Sequence, residues 1–252
     1  MTLFQHLKKE AWTYAQSKNV VLEECGVTKT CVYVIVKTEA KKSIGTTLTP
    51  HAEGLNAIKS ESIKEIFDYS DAYNPLQRAV ALALINALGQ HALGDDIEVS
   101  KAGTRSLLPQ KILEMTQAGD EIVFIGNLEP VVAKLKQEGR NPIVFCRQKK
   151  AYEEAIYSDI FEYEAISKSK IAIITGAALI GSTIDALLAM SPKNAIRIMA
   201  GFSAAAHPLW LRGRGLTHVA SMKLTCDLKA SLMADKWEEM FCYPSYFQSL
   251  GD

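Results

Sequence analysis

The sequence predicts an α/β protein in two parts: an amino-terminal α+β domain, followed by a Rossmann-like parallel sheet with flanking helices. In the second half, short apolar runs alternate five times with longer helical segments. Such alternation is typical of parallel strands joined by right-handed crossovers. The first half instead starts with an amphipathic helix and groups its strands ahead of its later helices. That order predicts a separate α+β unit.

Each element of the first half has its own signal. Apolar residues recur at helical spacing over residues 3–15, which predicts the first helix. The runs VVLEECG and CVYVIVKT predict two strands, and the second is apolar enough to be buried. The polar stretch KKSIGTTLTPHAEG predicts a loop that contains a short strand. A helix with Ile63 and Phe67 follows, and Pro75 then opens a long helix, PLQRAVALALINALGQH, whose apolar faces predict burial.

The polar, glycine-containing stretch GDDIEVSKAGT separates the two halves, so we place the domains at residues 1–94 and 95–252. A helix with Leu108 and Ile112 comes next and is a candidate to cross between them. The predicted strands of the second half are EIVFIG, PIVFCR, KIAIITG, AIRIMAG and LTHVAS. The predicted helical segments between and after them are LEPVVAKLKQEG, ALIGSTIDALLAM, AAAHPLWLRGRG and TCDLKASLMADKWEEMF.

Composition excludes several classes of function. Lys and Arg number 28 and Asp and Glu also number 28, so there is no basic footprint and we expect no nucleic-acid partner. No apolar run approaches the ~20 residues that cross a membrane, and the first residues do not form a signal peptide. We therefore expect no membrane partner and a cytoplasmic location. Five scattered cysteines do not predict a disulfide framework. A homodimer is the expected assembly, since it is the commonest one.

The predicted strand ends are where a ligand site is expected, because ligands of open parallel sheets bind outside the carboxyl ends of the strands. Gly126, Gly176 and Gly201 end three of the strands. Asn127 follows the first glycine, where it either caps the next helix or contacts a ligand. Thr175 precedes the second glycine. Together these residues predict a small-ligand site.

Helix starts and loops extend this candidate site. Ser182 and Thr183 begin the helix after the third strand, where they either cap it or help its amides to bind an anion. Ser203 and His207 lie beyond Gly201. No HxH or HExxH motif and no nucleophile elbow is present, so neither metal ligands nor catalytic residues are assigned. The polar loop of the first half is expected to contribute Gly45, Thr46 and His51.

Four segments in this order carry a family resemblance: ALALINAL, GDEIVFIGNLEP, ITGAALIGSTIDALL and AGFSAAAHPLW. Together they resemble the family of uncharacterised proteins named for a heavy-metal chelation domain. The resemblance implies a first domain like the amino-terminal domain of enolase, a Rossmann-like second domain, and an active site in the cleft between them. The residues that match the family pattern are Asn86, Gly126, Thr175, Gly176, Thr183, Gly201 and Ser203. The chain departs from it at Gly181, where the family commonly has asparagine, and at Phe202, where it commonly has proline.

Three functions remain open on the sequence. The first is binding of a small ligand in the interdomain cleft, with handling of a heavy metal or metal chelate; a transition metal or its chelate is then the expected cofactor. The second is a Rossmann enzyme that uses a nucleotide or S-adenosylmethionine. The third is a non-catalytic small-molecule sensor, which the lack of catalytic motifs favours.

Overall fold

The computed structural model describes residues 1–50, 62–71, 73–94, 97–147 and 156–251. It contains a three-stranded antiparallel sheet near the amino terminus and a seven-stranded, mostly parallel sheet with flanking helices. The predicted fold class is therefore confirmed. The boundary between residues 94 and 95 stays a prediction, because residues 95–96 lie outside the described part of the chain.

The first half begins with helix α1 (Leu3–Ser17), which starts with a capping box between Thr2 and Gln5. Three strands follow: β1 (Val21–Val27), β2 (Cys31–Lys37) and β3 (Lys42–Leu48), paired in the order β1-β2-β3. The strand predicted inside the polar stretch KKSIGTTLTPHAEG is confirmed as β3, and it takes up seven residues of that stretch. The residues of β3 pair with β2 along the whole strand. Pairing with a strand of high β propensity compensates for the weak β propensity of β3 itself.

Helices α2 (Ile63–Tyr69) and α3 (Pro75–Ala92) complete the first half. Asn74 caps α3, and its side chain accepts hydrogen bonds from two backbone amides of the first turn. Nearly every residue of α3 from Ala79 onward is buried, as the apolar pattern predicts. Gly45 of β3 faces the backbone of α3 so closely that a Cβ at this position would overlap Ala83 and Ala87. The helix consequently packs directly against the small sheet.

The second half starts with α4 (Thr104–Met115), which packs against the edge of the large sheet. The strands are β4 (Ile122–Ile125), β5 (Ile143–Phe145), β6 (Ile156–Tyr157), β7 (Ile171–Thr175), β8 (Ile196–Ala200), β9 (His218–Met222) and β10 (Ser245–Ser249). The helices are α5 (Glu129–Gln137), α6 (Glu162–Ile166), α7 (Thr183–Met190), α8 (Pro208–Leu211) and α9 (Leu228–Met233). The spatial order is β10-β9-β8-β7-β4-β5-β6, and only β10 is antiparallel to its neighbour.

Some sequence predictions for this half were wrong. Strands β6 and β10 and helix α6 were not predicted. The predicted last helix is broken: α9 ends after six residues, Asp235 has a φ of 57°, and a 3-10 turn runs over Trp237–Cys242. The helix predicted over ALIGSTIDALLAM is divided into a 3-10 turn, Gly176–Leu179, and α7, with Ser182 at a φ of 55° between them. In both places the apolar spacing fits a helix, but tertiary packing imposes a turn.

The segment after β9 returns to the first half. Buried residues Met222, Leu224, Leu228, Leu232 and Met240 form one apolar cluster with Cys31, Tyr33, Ile35 and Ile44 of the small sheet. Lys229 of α9 also bonds Glu24 of β1 at 2.5 Å. The two halves therefore share a core on this face of the small sheet. Within the described residues, no helix combines the length and apolar character needed to cross a membrane.

Candidate functional site

The large sheet has its topological switch point between β4 and β7. From β4 the chain moves outward to β5 and β6 on one side, then returns to β7 and continues to β8 and β9 on the other. Numbered along the chain, these six strands have the doubly wound order 3-2-1-4-5-6. Crossover connections leave in opposite directions at this point, which opens a crevice outside the carboxyl ends of the two strands. The switch point is therefore the first place to look for a ligand site.

Gly126 follows β4 directly at this crevice. Its φ is +99°, a conformation that glycine adopts without strain, and its amide donates a 2.7 Å hydrogen bond to the carbonyl of Phe145. A Cβ at this position would lie 2.5 Å from both Oγ1 and Cγ2 of Thr175, at the end of β7. The Thr175 side chain thus occupies the space that any other residue at position 126 would need.

Asn127 and Thr175 are both half-buried at the switch point. Neither side chain makes a hydrogen bond to the described residues. The N-cap of α5 is Leu128, with no side-chain capping bond, so the interpretation of Asn127 as the cap was wrong. One amide and one hydroxyl are therefore left to bond solvent or a ligand at this crevice.

Arg147 borders the crevice at the end of β5. Its Nε lies 2.6 Å from Oδ2 of Asp159, and its Nη1 lies 3.5 Å from where a Cβ at Gly181 would be. Glu162, which is only 4% exposed, lies in the same cluster. Burial and the nearby Asp159 charge raise the pKa of the Glu162 carboxyl, while Arg147 acts in the opposite direction. This rim combines an exposed guanidinium, paired with Asp159, with a buried carboxyl whose charged form is disfavoured.

The start of α7 is held by residues of the first half. The Ser182 hydroxyl accepts a 2.8 Å hydrogen bond from Arg78 of α3, and Asp185 accepts a 2.7 Å bond from the Leu3 amide of α1. Ser182 stands at the N-cap position but makes no side-chain capping bond. Thr183 donates to the carbonyl of Ala178 at 3.4 Å. These predicted residues border the crevice, although Ser182 is committed to Arg78.

A second group of predicted residues lies in the contact surface between the halves, which we call the seam: Gly45, Thr46, Gly176, Gly201, Ser203 and His207, all buried. The Ser203 hydroxyl accepts hydrogen bonds from the Thr47 hydroxyl at 3.1 Å and the Leu48 amide at 3.3 Å. Asn86 donates to the carbonyls of Thr46 and Ser203 at 2.9 and 3.1 Å. Ser203 and Asn86 thereby connect the small sheet, α3 and the end of β8.

The other seam residues have equally definite partners. Gly201 has a φ of +98° and lies nearest the side chain of Leu128. His207 caps α8, with its Nδ1 accepting from the Leu209 amide at 3.2 Å. Phe202, where the resembled family commonly has proline, packs its ring 6.3 Å from those of Trp237 and Phe241. It anchors the turn that follows α9. His51 lies outside the described residues.

The structure thus divides the predicted set. Gly126, Asn127 and Thr175 meet at the crevice, and Ser182 and Thr183 lie on its rim, whereas the seam residues are enclosed by packing. Sequence reasoning missed Arg78 and Glu162. Arg78 had a readable signal, because it is the only charged residue in the apolar helix PLQRAVALALINALGQH. Glu162 had no signal, since its burial depends on the packing of the whole chain.

The described residues do not fit a bare metal ion. No group of three or more His, Cys, Asp or Glu side chains in the described ranges is placed to hold one. The cysteine thiols are free, and burial raises the pKa of Cys25 to about 11 and that of Cys31 to about 12. High thiol pKa values disfavour the thiolate form that binds heavy metals.

Comparison with known proteins finds a protein family that this chain matches over about half of its length. The model of the DUF364 family, described as "Putative heavy-metal chelation", matches residues 110–233. The predicted resemblance to this family is confirmed. The matched region includes the whole crevice, from Gly126 to Thr183, and leaves the small sheet and α3 outside.

Several relatives extend the likeness beyond this region. An uncharacterised protein of Methanocaldococcus jannaschii is 27% identical over 79% of this chain and 77% of its own length. A DUF364 family protein of unknown function from Pyrococcus horikoshii has a similar structure, with a TM-score of 0.81 and 24% identity over 98% of this chain and 99% of its own. One from Desulfitobacterium hafniense DCB-2 has a TM-score of 0.72 and 14% identity over the same shares. These structures show the shared fold.

Proposed function

We propose that this chain binds a small polar molecule at the switch-point crevice between β4 and β7, and handles heavy metal only as a chelate of such a molecule. The observation that carries the proposal is the pair Asn127 and Thr175, two half-buried polar side chains without hydrogen-bond partners among the described residues. Small-ligand sites combine a concave surface with a few polar groups that fix orientation. The strand order predicts the concave surface at the switch point, and Asn127 and Thr175 supply the polar groups.

The chemistry of the crevice suggests how such a molecule is held. Asn127 offers both a donor and an acceptor, and the Thr175 hydroxyl offers either. Gly126 has no side chain, which leaves room for the Thr175 side chain at this crevice. Arg147 adds a donor at the rim, where its Nε is bonded to Asp159. A ligand with several oxygen or nitrogen atoms satisfies these groups.

A chelate is favoured over a free ion by the donor set. The described residues offer no cluster of metal ligands, whereas the family description refers to heavy-metal chelation. An organic chelator supplies the metal ligands itself and leaves its outer polar atoms for the protein. Recognition then needs only hydrogen bonds, which the crevice provides.

A thermal-shift panel tests this function. The probes are citrate and histidine, each alone and with Ni²⁺, Co²⁺ or Zn²⁺, together with the metals alone. A ligand of the native state at 100 times its Kd adds about 2.7 kcal/mol of stability, so a binding probe raises Tm clearly. We expect a chelate to raise Tm more than its metal alone. Thr175→Val and Asn127→Ala should remove the shift, whereas the exposed-residue controls Thr13→Val and Asn194→Ala should keep it.

The 3-2-1-4-5-6 strand order also favours a second candidate, a site for a nucleotide or S-adenosylmethionine. The turn IGNLEP lacks the full glycine fingerprint of dinucleotide sites, so the support comes from topology alone. Adding ATP, NAD and S-adenosylmethionine to the panel separates the two candidates. A shift with these probes only would replace the chelate proposal, and binding without turnover of any probe would support a sensor.

A further inference from the structure

Helix α8 is held at both of its ends by histidine side chains. His207 caps its start through Nδ1, as described above. At its other end, Nε2 of His6 lies 3.0 Å from the carbonyl oxygen of Trp210. His6 belongs to α1 and is 8% exposed, so this contact joins the first half of the chain to the second.

The partners of His6 fix its protonation state. A carbonyl oxygen only accepts, so Nε2 must carry a hydrogen. Nδ1 lies 2.9 Å from Nη2 of Arg214, and a guanidinium only donates, so Nδ1 must be without a hydrogen. The neutral ring with its hydrogen on Nε2 is the one form that satisfies both contacts. A protonated ring would place an N–H against the N–H of a positively charged group.

Burial and the surrounding charges, taken together, also favour the neutral ring. Burial and the Arg214 charge lower the pKa of His6, and Lys9 of the same helix adds to this. Glu10, whose carboxylate lies 3.8 Å from Nδ1, and the Trp210 carbonyl oppose it. The net shift is downward, which agrees with the geometry. The contact is therefore formed with neutral His6.

We propose that His6 is an acid-sensitive latch: protonation of its Nδ1 breaks the bond to Arg214 and frees the end of α8 and residues 212–215 from α1. When the latch opens, the ring returns to solvent and to a pKa of about 6.5. Because the closed form binds the proton less tightly, opening is favoured as pH falls below that value. The proposal is independent of the crevice and its ligand.

His91 provides a matched comparison. It also lies against α1, with Nδ1 2.9 Å from the Tyr14 hydroxyl and Nε2 3.5 Å from the Thr38 hydroxyl. Burial and the Lys41 charge lower its pKa, and a hydrogen bond to the Lys41 backbone acts in the opposite direction. A hydroxyl can either donate or accept, so both partners can turn to accept from a protonated ring. Protonation of His91 does not force its contacts apart.

Hydrogen exchange measured by mass spectrometry at pH 7.5, 6.5 and 5.5 tests the latch in the full chain. After correction for intrinsic rates, exchange over residues 208–216 should increase by up to about tenfold per pH unit below pH 6.5, the limit for one linked proton. His6→Gln keeps a donor for the Trp210 carbonyl but does not titrate, so its exchange should lose this dependence. His91→Gln should keep it. Equal slopes in the wild type and His6→Gln, or no slope in the wild type, would overturn the proposal.

A second measurement serves if His6→Gln does not fold. Arg214 is exposed, and Arg214→Gln removes the opposing charge while keeping a donor near Nδ1. We expect the NMR titration midpoint of His6 to rise in this variant and those of His91 and His218 to stay unchanged. An unchanged titration midpoint of His6 would show that Arg214 does not hold the ring neutral, and it would contradict the proposed latch.

Discussion

The contact between Gly126 and Thr175 can be tested with a matched pair of glycine substitutions. Gly126 has a φ of +99° and Gly119, in the turn before β4, has a φ of +92°. An added Cβ would lie 2.5 Å from two Thr175 atoms at Gly126, but would have no neighbour within 4 Å at Gly119. Gly126→Ala and Gly119→Ala therefore share backbone strain and differ in steric overlap.

The expected magnitudes follow from this difference. An alanine in a left-handed conformation costs about 1–2 kcal/mol, which applies to both variants. Overlap in a packed site adds about 1–3 kcal/mol, which applies to Gly126→Ala alone. We expect Gly126→Ala to lower the free energy of unfolding by about 2–5 kcal/mol and Gly119→Ala by about 1–2 kcal/mol. Thr175→Ala removes both overlapping atoms, so the double variant should recover about 1 kcal/mol or more relative to additivity.

Urea unfolding followed by tryptophan fluorescence measures these free energies, and Thr175→Ala alone closes the double-mutant cycle. The reasoning fails if Gly126→Ala and Gly119→Ala agree within about 0.5 kcal/mol, the usual error of additivity. It also fails if Thr175→Ala brings no recovery. Either result would mean that the two strand ends are not packed together, and the crevice would lose its defining contact.

Three further predictions concern other parts of the structure. Asn86→Leu leaves the buried carbonyls of Thr46 and Ser203 without their donor. It should therefore lower the free energy of unfolding measured in urea by about 2–4 kcal/mol, while the surface control Asn194→Leu should change it little. The raised pKa of the Glu162 carboxyl means that the folded protein loses stability as pH rises above the ordinary glutamate pKa. Glu162→Gln should therefore raise Tm at pH 7.5 but not at pH 4. An equal gain in Tm at both pH values would contradict this. Burial raises the pKa of Cys31 to about 12 and should protect its thiol from iodoacetamide at pH 8, while exposed Cys242 reacts. Peptide mapping that finds Cys31 modified before Cys242 would contradict the burial of Cys31.

Much of the fold was predictable because its signals are local. The apolar run of β2, the alternation of strands and helices after residue 120, and Pro75 at the start of α3 each reflect a preference of a short segment. Elements that depend on distant partners were missed. β10 forms by pairing with β9, and two-residue β6 forms by pairing with β5, and neither has a strong pattern of its own.

The candidate site shows the same limit. Parallel strands bring Gly126, Thr175 and Gly201 to one edge of the sheet, and the glycine-marked strand ends predicted that edge. The sequence predicted that the first half contributes Gly45 and Thr46 at this edge, but not that β3 and α3 bury part of it. Ser203, Gly201, Asn127 and Thr175 are all polar or small residues at or just after the end of a strand. Ser203 and Gly201 are buried in the seam, whereas Asn127 and Thr175 are half-buried.

The sequence by itself determined the fold class, the family resemblance and the edge of the sheet to which polar residues come, because these follow from periodicity and residue type along short stretches. Only the tertiary structure decided which of those residues remain open. Hydrogen bonds from Thr47 and Asn86 engage Ser203, and Arg78 engages Ser182. Each bond joins residues more than a hundred positions apart, and the position of such a partner depends on the packing of the whole chain.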